Sequence, residues 1–557
     1  MTTSYLKPSA TADIVGQAVG VRIAGGTVEL DAFGIPYGKA SLELPRTEDL
    51  ELEDMDPRSD TRIIVTGRDD VAGTSRSFNL GLRARDISEN GSTVLLELAT
   101  DEALLQDYAP LTTDTGARAH QGSIRAVVNY VLGKIGASLQ PGGPDADVTA
   151  YWLVGNVLSN PSVELTTTPW SNGGGMQSFH AGLAMPGAGV NAFGWNSTGA
   201  GVLAFVPHVS LQGPSVSPGR SYVFSGFGLA YLSTPARTIR ACIRWLDGSG
   251  TPVGPDLEGP NIPINPTTWT RCSIIGTAPA GASRAEVFYR VAGGTASGQI
   301  GYADGAMFYE GTELVPYFDG STPDTASYSY DWATNPHASG STRTPAVVRE
   351  PDLYVWRPGV SAWDFLEPLT TSVGYRLYCD ELRRWWLIDP KTHAVPGVVT
   401  LSGFNIANGA DTISRDDPEL FATGVVVEYS WKDPSTQADR VAYDSAGTPS
   451  KVVVVQYERP YPGPGAAAAI LSRRSGTGRT QTATALVDWT TTPGMEASLT
   501  LPASEQTRGK VASVRFELGD SGLMDVGTRG LIDIHPGTID ALVGTIDGLV
   551  GTIDALA

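Results

Sequence analysis

Residues 301–309 read Gly301-Tyr302-Ala303-Asp304-Gly305-Ala306-Met307-Phe308-Tyr309, the last of a series of short apolar runs. Upstream stand 202–206 (VLAFV), 222–227 (YVFSGF), 238–245 (TIRACIRW), 269–275 (WTRCSII) and 285–291 (AEVFYRV). Each is rich in aromatic or β-branched residues and lies between segments rich in Gly, Pro, Asn or Ser, the sequence pattern of strands separated by turns. No helical period interrupts them, so the spacing predicts an antiparallel β-sandwich or jelly roll.

This stretch differs from its flanks. Residues 151–345 contain no lysine, carry a lower charge density, and hold half of the tryptophans. Pro141-Gly142-Gly143-Pro144 precedes it and a Ser/Thr/Gly-rich stretch ending at Pro345 follows it. Such shifts mark domain edges. The reading is mainly β and multidomain: 1–150, 151–345, 346–530 and a tail over 531–557. Composition leaves open whether the middle part is inserted into one larger domain or stands as a bead between two.

The flanks mix strands with little helix. Runs at 19–23, 27–30, 62–66 and 93–98 are strand-like. Ile124, Val127, Val128, Val131, Leu132 and Ile135 then fall at helical spacing, with Ser123 as N-cap and Gly136 as stop. Beyond the middle region, 361–371 predicts a short helix, and 374–388 a hairpin turning near Asp380. Residues 511–518 alternate apolar and polar, which predicts a half-buried strand.

The end is a heptad repeat: GTIDALV, GTIDGLV, GTIDALA over 537–557. Ile539, Ile546 and Ile553 take position a, Leu542, Leu549 and Leu556 position d, and Val543 and Val550 position e. A lone helix cannot hide that stripe, so the repeat predicts self-association.

Net charge is −20, from 59 acidic and 39 basic residues, which predicts no nucleic-acid partner. No apolar run is long enough to span a bilayer, and residues 1–10 lack the pattern of a secretory signal. A soluble protein made in the cytoplasm is the expectation. Cys242, Cys272 and Cys379 lack zinc spacing; Cys242 and Cys272 read as buried thiols in strands, with a disulfide between them the alternative. The histidines form no HExxH, and no GxSxG or P-loop occurs. No catalytic residues are assigned.

Two motifs carry a family resemblance. Asn160-Pro161-Ser162-Val163-Glu164 and the closing 302–311 (YADGAMFYEG) resemble the ends of carbohydrate-binding modules of the family 4/9 jelly-roll type. Residues 317–343 (YFDGSTPDTASYSYDWATNPHASGSTR) resemble a stretch common in minor tail proteins of actinobacterial phages. The order of parts in the flanks resembles a phage tail hub. These resemblances imply a homotrimeric structural protein at the virion tail tip. Its partners would be other phage tail proteins (tail tube, distal tail, tip or fibre proteins) and a host cell-wall glycan. Two alternatives remain: a tail-associated glycan depolymerase, and a structural protein whose sandwich is decoration. The module resemblance also implies a structural calcium, with Glu164 and Asp304 at its acidic positions; calcium takes several oxygen ligands. Sugar rings stack on flat aromatic faces flanked by amides. Trp170 and Trp195, in Gly/Asn/Ser-rich loops, are the expected stacking residues, with Asn172, Gln177 and Asn196 beside them. Trp245 and Trp269 lie in strand patterns and are expected in the core.

Overall fold

The computed structural model describes residues 9–534 apart from 16–20, 48–51, 70–71, 89–90, 171–175, 199–204, 208–212, 232–236, 293–296, 434–436, 475–477, 503–504 and 520. The heptad residues Ile539, Leu542, Val543, Ile546, Leu549, Val550, Ile553 and Leu556 therefore lie outside the described residues. The protein is mainly β. Two units are formed: Met1–Ala150 with Pro351–Tyr429 and Ala442–Ala557, and Tyr151–Glu350 with Ser430–Val441.

The first unit is organised by one sheet of thirteen strands drawn from both flanks. The join is the pairing of Gly25–Asp31 with Gln506–Glu517, antiparallel, with Val28 opposite Phe516 and Leu30 opposite Val514. Gly25–Asp31 continues through Gly38–Pro45 to Thr93–Ala99, while Gln506–Glu517 continues to Leu523–Ile534 and Arg479–Leu486. Residues 1–150 and 346–530 thus share one core rather than holding two. That core includes Val28, Leu30, Leu42, Leu96, Phe78, Trp489, Val514 and Phe516. Trp489 stacks on Phe516 at 4.9 Å between ring centroids. Gly67 permits this, because a Cβ there would stand 2.4 Å from the Trp489 indole. The alternating run at 511–518 lies largely within the strand Gln506–Glu517, whose Val511, Val514 and Phe516 are buried.

The local signals act as the residues suggest. Ile124–Leu132 is helical, Ser123 Oγ accepts from the Ala126 amide, and Gly136 takes a left-handed φ of 70°. Ala362–Ser372 is helical, capped by Ser361 on the Asp364 amide. Arg376–Cys379 pairs with Trp385–Ile388. Asp380 closes that hairpin by accepting from the Leu382 and Arg384 amides, each at 2.9 Å.

The second unit is a sandwich of two sheets of five strands each. One runs Thr270–Thr277, Ser221–Ala230, Ile300–Glu310, Ala192–Ser197, Met176–Ala181; the other is built on Arg237–Leu246 and Arg284–Ala292. Between them lie Phe193, Trp195, Tyr222, Phe224, Ile239, Ile243, Trp245, Val287, Tyr289 and Phe308. Cys242 and Cys272 are buried free thiols on facing sheets. Burial raises them to about 11 and about 12 respectively, so neither is a reactive thiolate at neutral pH. The unit is continuous in chain from Tyr151 to Glu350, and the Arg349 amide donates to the Tyr151 carbonyl at 2.9 Å. Near the entry and exit, Val154–Asn156 pairs with Ser341–Pro345, and the flanks on either side join in the sheet of the first unit.

Candidate functional site

Strand alternation gives each sheet of the sandwich an inner and an outer face. On the second sheet the outer face is ionic. Arg244 binds Asp256 at 2.7 Å and Glu286 at 2.8 Å, Arg290 reaches Asp256 at 3.2 Å, and Arg240 binds Glu258 at 2.6 Å. This is an ion-paired surface, in which Arg240 Nε has no hydrogen-bond partner among the described residues.

The outer face of the first sheet has a different chemistry. In register, Gly194 stands between Phe179 and Tyr302, and Asn196 between Gln177 and Ile300. Tyr302 stands opposite Leu229, and Phe227 opposite Arg271. Phe179, Leu229, Trp269, Ile300 and Tyr302 form one apolar cluster, separate from the core. Phe179 meets Tyr302 edge-on at 6.2 Å, and Tyr231 meets the same ring at 6.5 Å. Gly194 is required for this, since a Cβ there would lie 2.5 Å from the Phe179 ring. Tyr231 is 42% exposed; Phe179 and Trp269 are half-buried and Gln177 is exposed. Arg271 lies over Phe227 and donates to Ser225 Oγ at 2.9 Å. Asn196 Oδ1 and Arg271 Nε have no hydrogen-bond partner among the described residues. Half-exposed rings beside amide and guanidinium side chains suit a ligand with apolar faces and hydroxyl edges.

Two expected stacking residues are elsewhere. Trp170 is buried, stacks on Tyr289 at 5.9 Å, and donates from Nε1 to the Asn160 carbonyl at 2.9 Å. Asn160, at φ 48°, pins the loop by donating to the Thr166 and Thr168 carbonyls, each at 2.7 Å. Trp195 is on a strand, not a loop, and points inward over Gly301, whose Cβ would stand 2.3 Å from the indole. Neither offers a face to a ligand. Gln177 and Asn196 do lie on the aromatic face, side by side. Asn172 lies outside the described residues. Trp269, expected in the core, belongs to the outer face.

Glu164 and Asp304 converge near Asp319 and Tyr317. Burial, joined by the charges of Glu164 and Asp319, pushes the Asp304 carboxyl well above the usual carboxylate range. Asp304 accepts from the Met185 amide at 2.8 Å and the Gly305 amide at 2.7 Å. Glu164 accepts from the amides of Val190 at 2.9 Å and Asn191 at 2.8 Å. The donor chemistry suits calcium, but the carboxylates do not close into a shell. Among the described residues, no three His, Cys, Asp or Glu side chains stand where they could hold a metal. No helix among them is long and apolar enough to cross a membrane.

No protein-family model and no curated protein matches the chain. Similar solved structures include the enzymatically active domain of bacteriophage CBA120 tailspike protein 4, at 20% identity and a TM-score of 0.23. That match covers 28% of this chain and 21% of the tailspike domain, so the chain spans about a fifth of that protein. A family 22 carbohydrate-binding module of Clostridium thermocellum Xyn10B is similar over 30% of this chain and 96% of its own, at 16% identity and a TM-score of 0.23. The 43 kDa tail protein of prophage MuSo2 from Shewanella oneidensis is similar over 93% of this chain and 97% of its own, at 9% identity and a TM-score of 0.38. At these TM-scores the similarities assign the chain to no family.

Proposed function

We propose that this chain is a structural component of a phage tail, of the hub type at the tail tip, which presents a glycan-binding sandwich to the host cell wall. The observation that carries the binding part is the aromatic outer face of the first sandwich sheet, set against the ion-paired outer face of the second. Tyr231 and Trp269 offer ring faces to the sugar, Phe179 and Tyr302 support them, and Gln177, Asn196 and Arg271 take its hydroxyls. The tail part rests on the resemblance of residues 317–343 and on the insertion of the sandwich into a unit built from both flanks. In this reading the first unit assembles as a homotrimer with tail tube, distal tail and fibre proteins, and the chain performs no catalysis.

The test is retention of the full-length protein on purified walls of candidate hosts, with calcium and with chelator, while soluble reducing sugar is assayed. Retention without sugar release, with or without chelator, is the expected result. Sugar release would favour the depolymerase, and absence of retention on every wall would reduce the sandwich to decoration.

A further inference from the structure

The first unit holds a pocket of about 330 Å³ whose wall includes Phe33, Arg376, His393, Lys510 and Arg529. The chain as a whole is acidic, yet cations dominate here. Arg529 lies 3.7 Å over the Phe33 ring, and Arg473 approaches the same ring at 5.6 Å. Arg376 lies over Tyr378 at 4.8 Å and Tyr37 at 5.7 Å. Burial and the neighbouring charges of Arg376 and Arg473 lower Arg529 to about 10. His393 is lowered by burial and by Lys510 and Arg376.

The acids around the pocket make hydrogen bonds of their own. Asp380 binds Arg384 at 2.7 Å and Trp386 Nε1 at 2.9 Å. Glu381 accepts from Arg76 Nε at 2.9 Å. Asp31 caps the Phe33 amide at 2.7 Å. Glu102 accepts from the Tyr37 and Cys379 amides at 3.2 and 2.9 Å, and Glu367 from Thr371 Oγ1 at 3.0 Å. Among the described residues, no carboxylate forms an ion pair with Arg376, Arg473, Arg529 or Lys510. Like charges gathered in a partly desolvated site are costly unless a counter-charge joins them.

We propose that this pocket is an anion site that takes a phosphate group, held by the guanidinium forks of Arg376 and Arg529 and by the Lys510 ammonium. Asp31, Glu102 and Glu367 offset part of the charge of Arg529, Arg376 and Arg473, and the remaining positive charge calls for an anionic partner. A phosphate brings close to two negative charges and three acceptor oxygens, which planar forks engage in pairs. Phe33, Tyr37 and Tyr378 hold the guanidiniums in place, so little side-chain freedom is lost on binding.

The experiment measures inorganic phosphate binding to the full-length protein by calorimetry and by its effect on the thermal midpoint, at constant ionic strength set with chloride. Phosphate is expected to bind saturably and to raise the midpoint. Arg529→Gln should weaken binding about tenfold or more, as loss of a charge-assisted contact does. Lys510→Gln, at a half-buried position on a strand, should weaken it less and serves if Arg529→Gln does not fold. Competition by glycerol phosphate would show that the group arrives on an organic carrier, and lack of competition that the free ion is taken; both uphold the site. No binding beyond that of chloride, or unchanged affinity in both variants, would overturn it.

Discussion

Trp170 shows why a tryptophan in a polar loop need not face solvent. Its surroundings are Gly, Asn and Ser, but Asn160 folds the loop back and gives the indole N–H a carbonyl partner. A buried ring stacked on Tyr289 fills core volume. Trp170→Ala should therefore cost about 3–5 kcal/mol of stability, measured as a lower denaturant midpoint. A stable variant with lost binding would return Trp170 to the surface. Asp304 makes a prediction of the opposite kind. Its folded pKa is raised, so the folded state holds a proton that the unfolded state releases. In calcium-free buffer, stability should fall as pH rises from the ordinary aspartate value of about 4 toward the raised folded value. Asp304→Asn should flatten that slope, and an unchanged pH profile would contradict the assignment. Convergence of Glu164 and Asp304 was legible from their motifs. The inward turn of Trp195 was not, because it depends on which strand parity faces the core, and that of Trp170 was not, because it depends on how Asn160 folds its loop.

At the scale of elements, the decisive one is the strand Gln506–Glu517. It pairs with Gly25–Asp31 on one side and Leu523–Ile534 on the other. Without it, Gly25–Asp31 becomes an open edge, and Val28 and Leu30 lose Phe516 and Val514. Residues 1–150 expressed alone should therefore aggregate or stay unfolded, judged by amide-proton dispersion; a well-dispersed spectrum would show an autonomous domain. The capped helix at Ile124–Leu132 was legible because caps are local: Ser123 and Gly136 each act within a turn. The aromatic face was hidden for the converse reason. Phe179, Leu229, Tyr302 and Trp269 lie on four strands, and only their register sets them on one side. Trp269 and Tyr302 lay in strand-like runs and Phe179 and Leu229 did not, and parity across strands is fixed by pairing, not by the runs themselves.

At the scale of the molecule, a drop in charge density marked the inserted sandwich, while the choice between insertion and bead needed the long-range pairing of the flanks. The heptads over 537–557 belong to the same scale. In the proposed homotrimer, deleting them should reduce the mass in solution if they join protomers; an unchanged mass would remove any need for the repeat in assembly. The central claim concerns the outer face of the first sandwich sheet, and affinity for host-wall glycan tests it most directly. The full-length protein should be compared with Tyr231→Ala/Trp269→Ala by titration with solubilised wall glycan, with thermal midpoints recorded beside it. The account predicts a drop of about tenfold or more, equivalent to roughly 1.4 kcal/mol, with little change in midpoint. Undiminished affinity in that folded variant would contradict it.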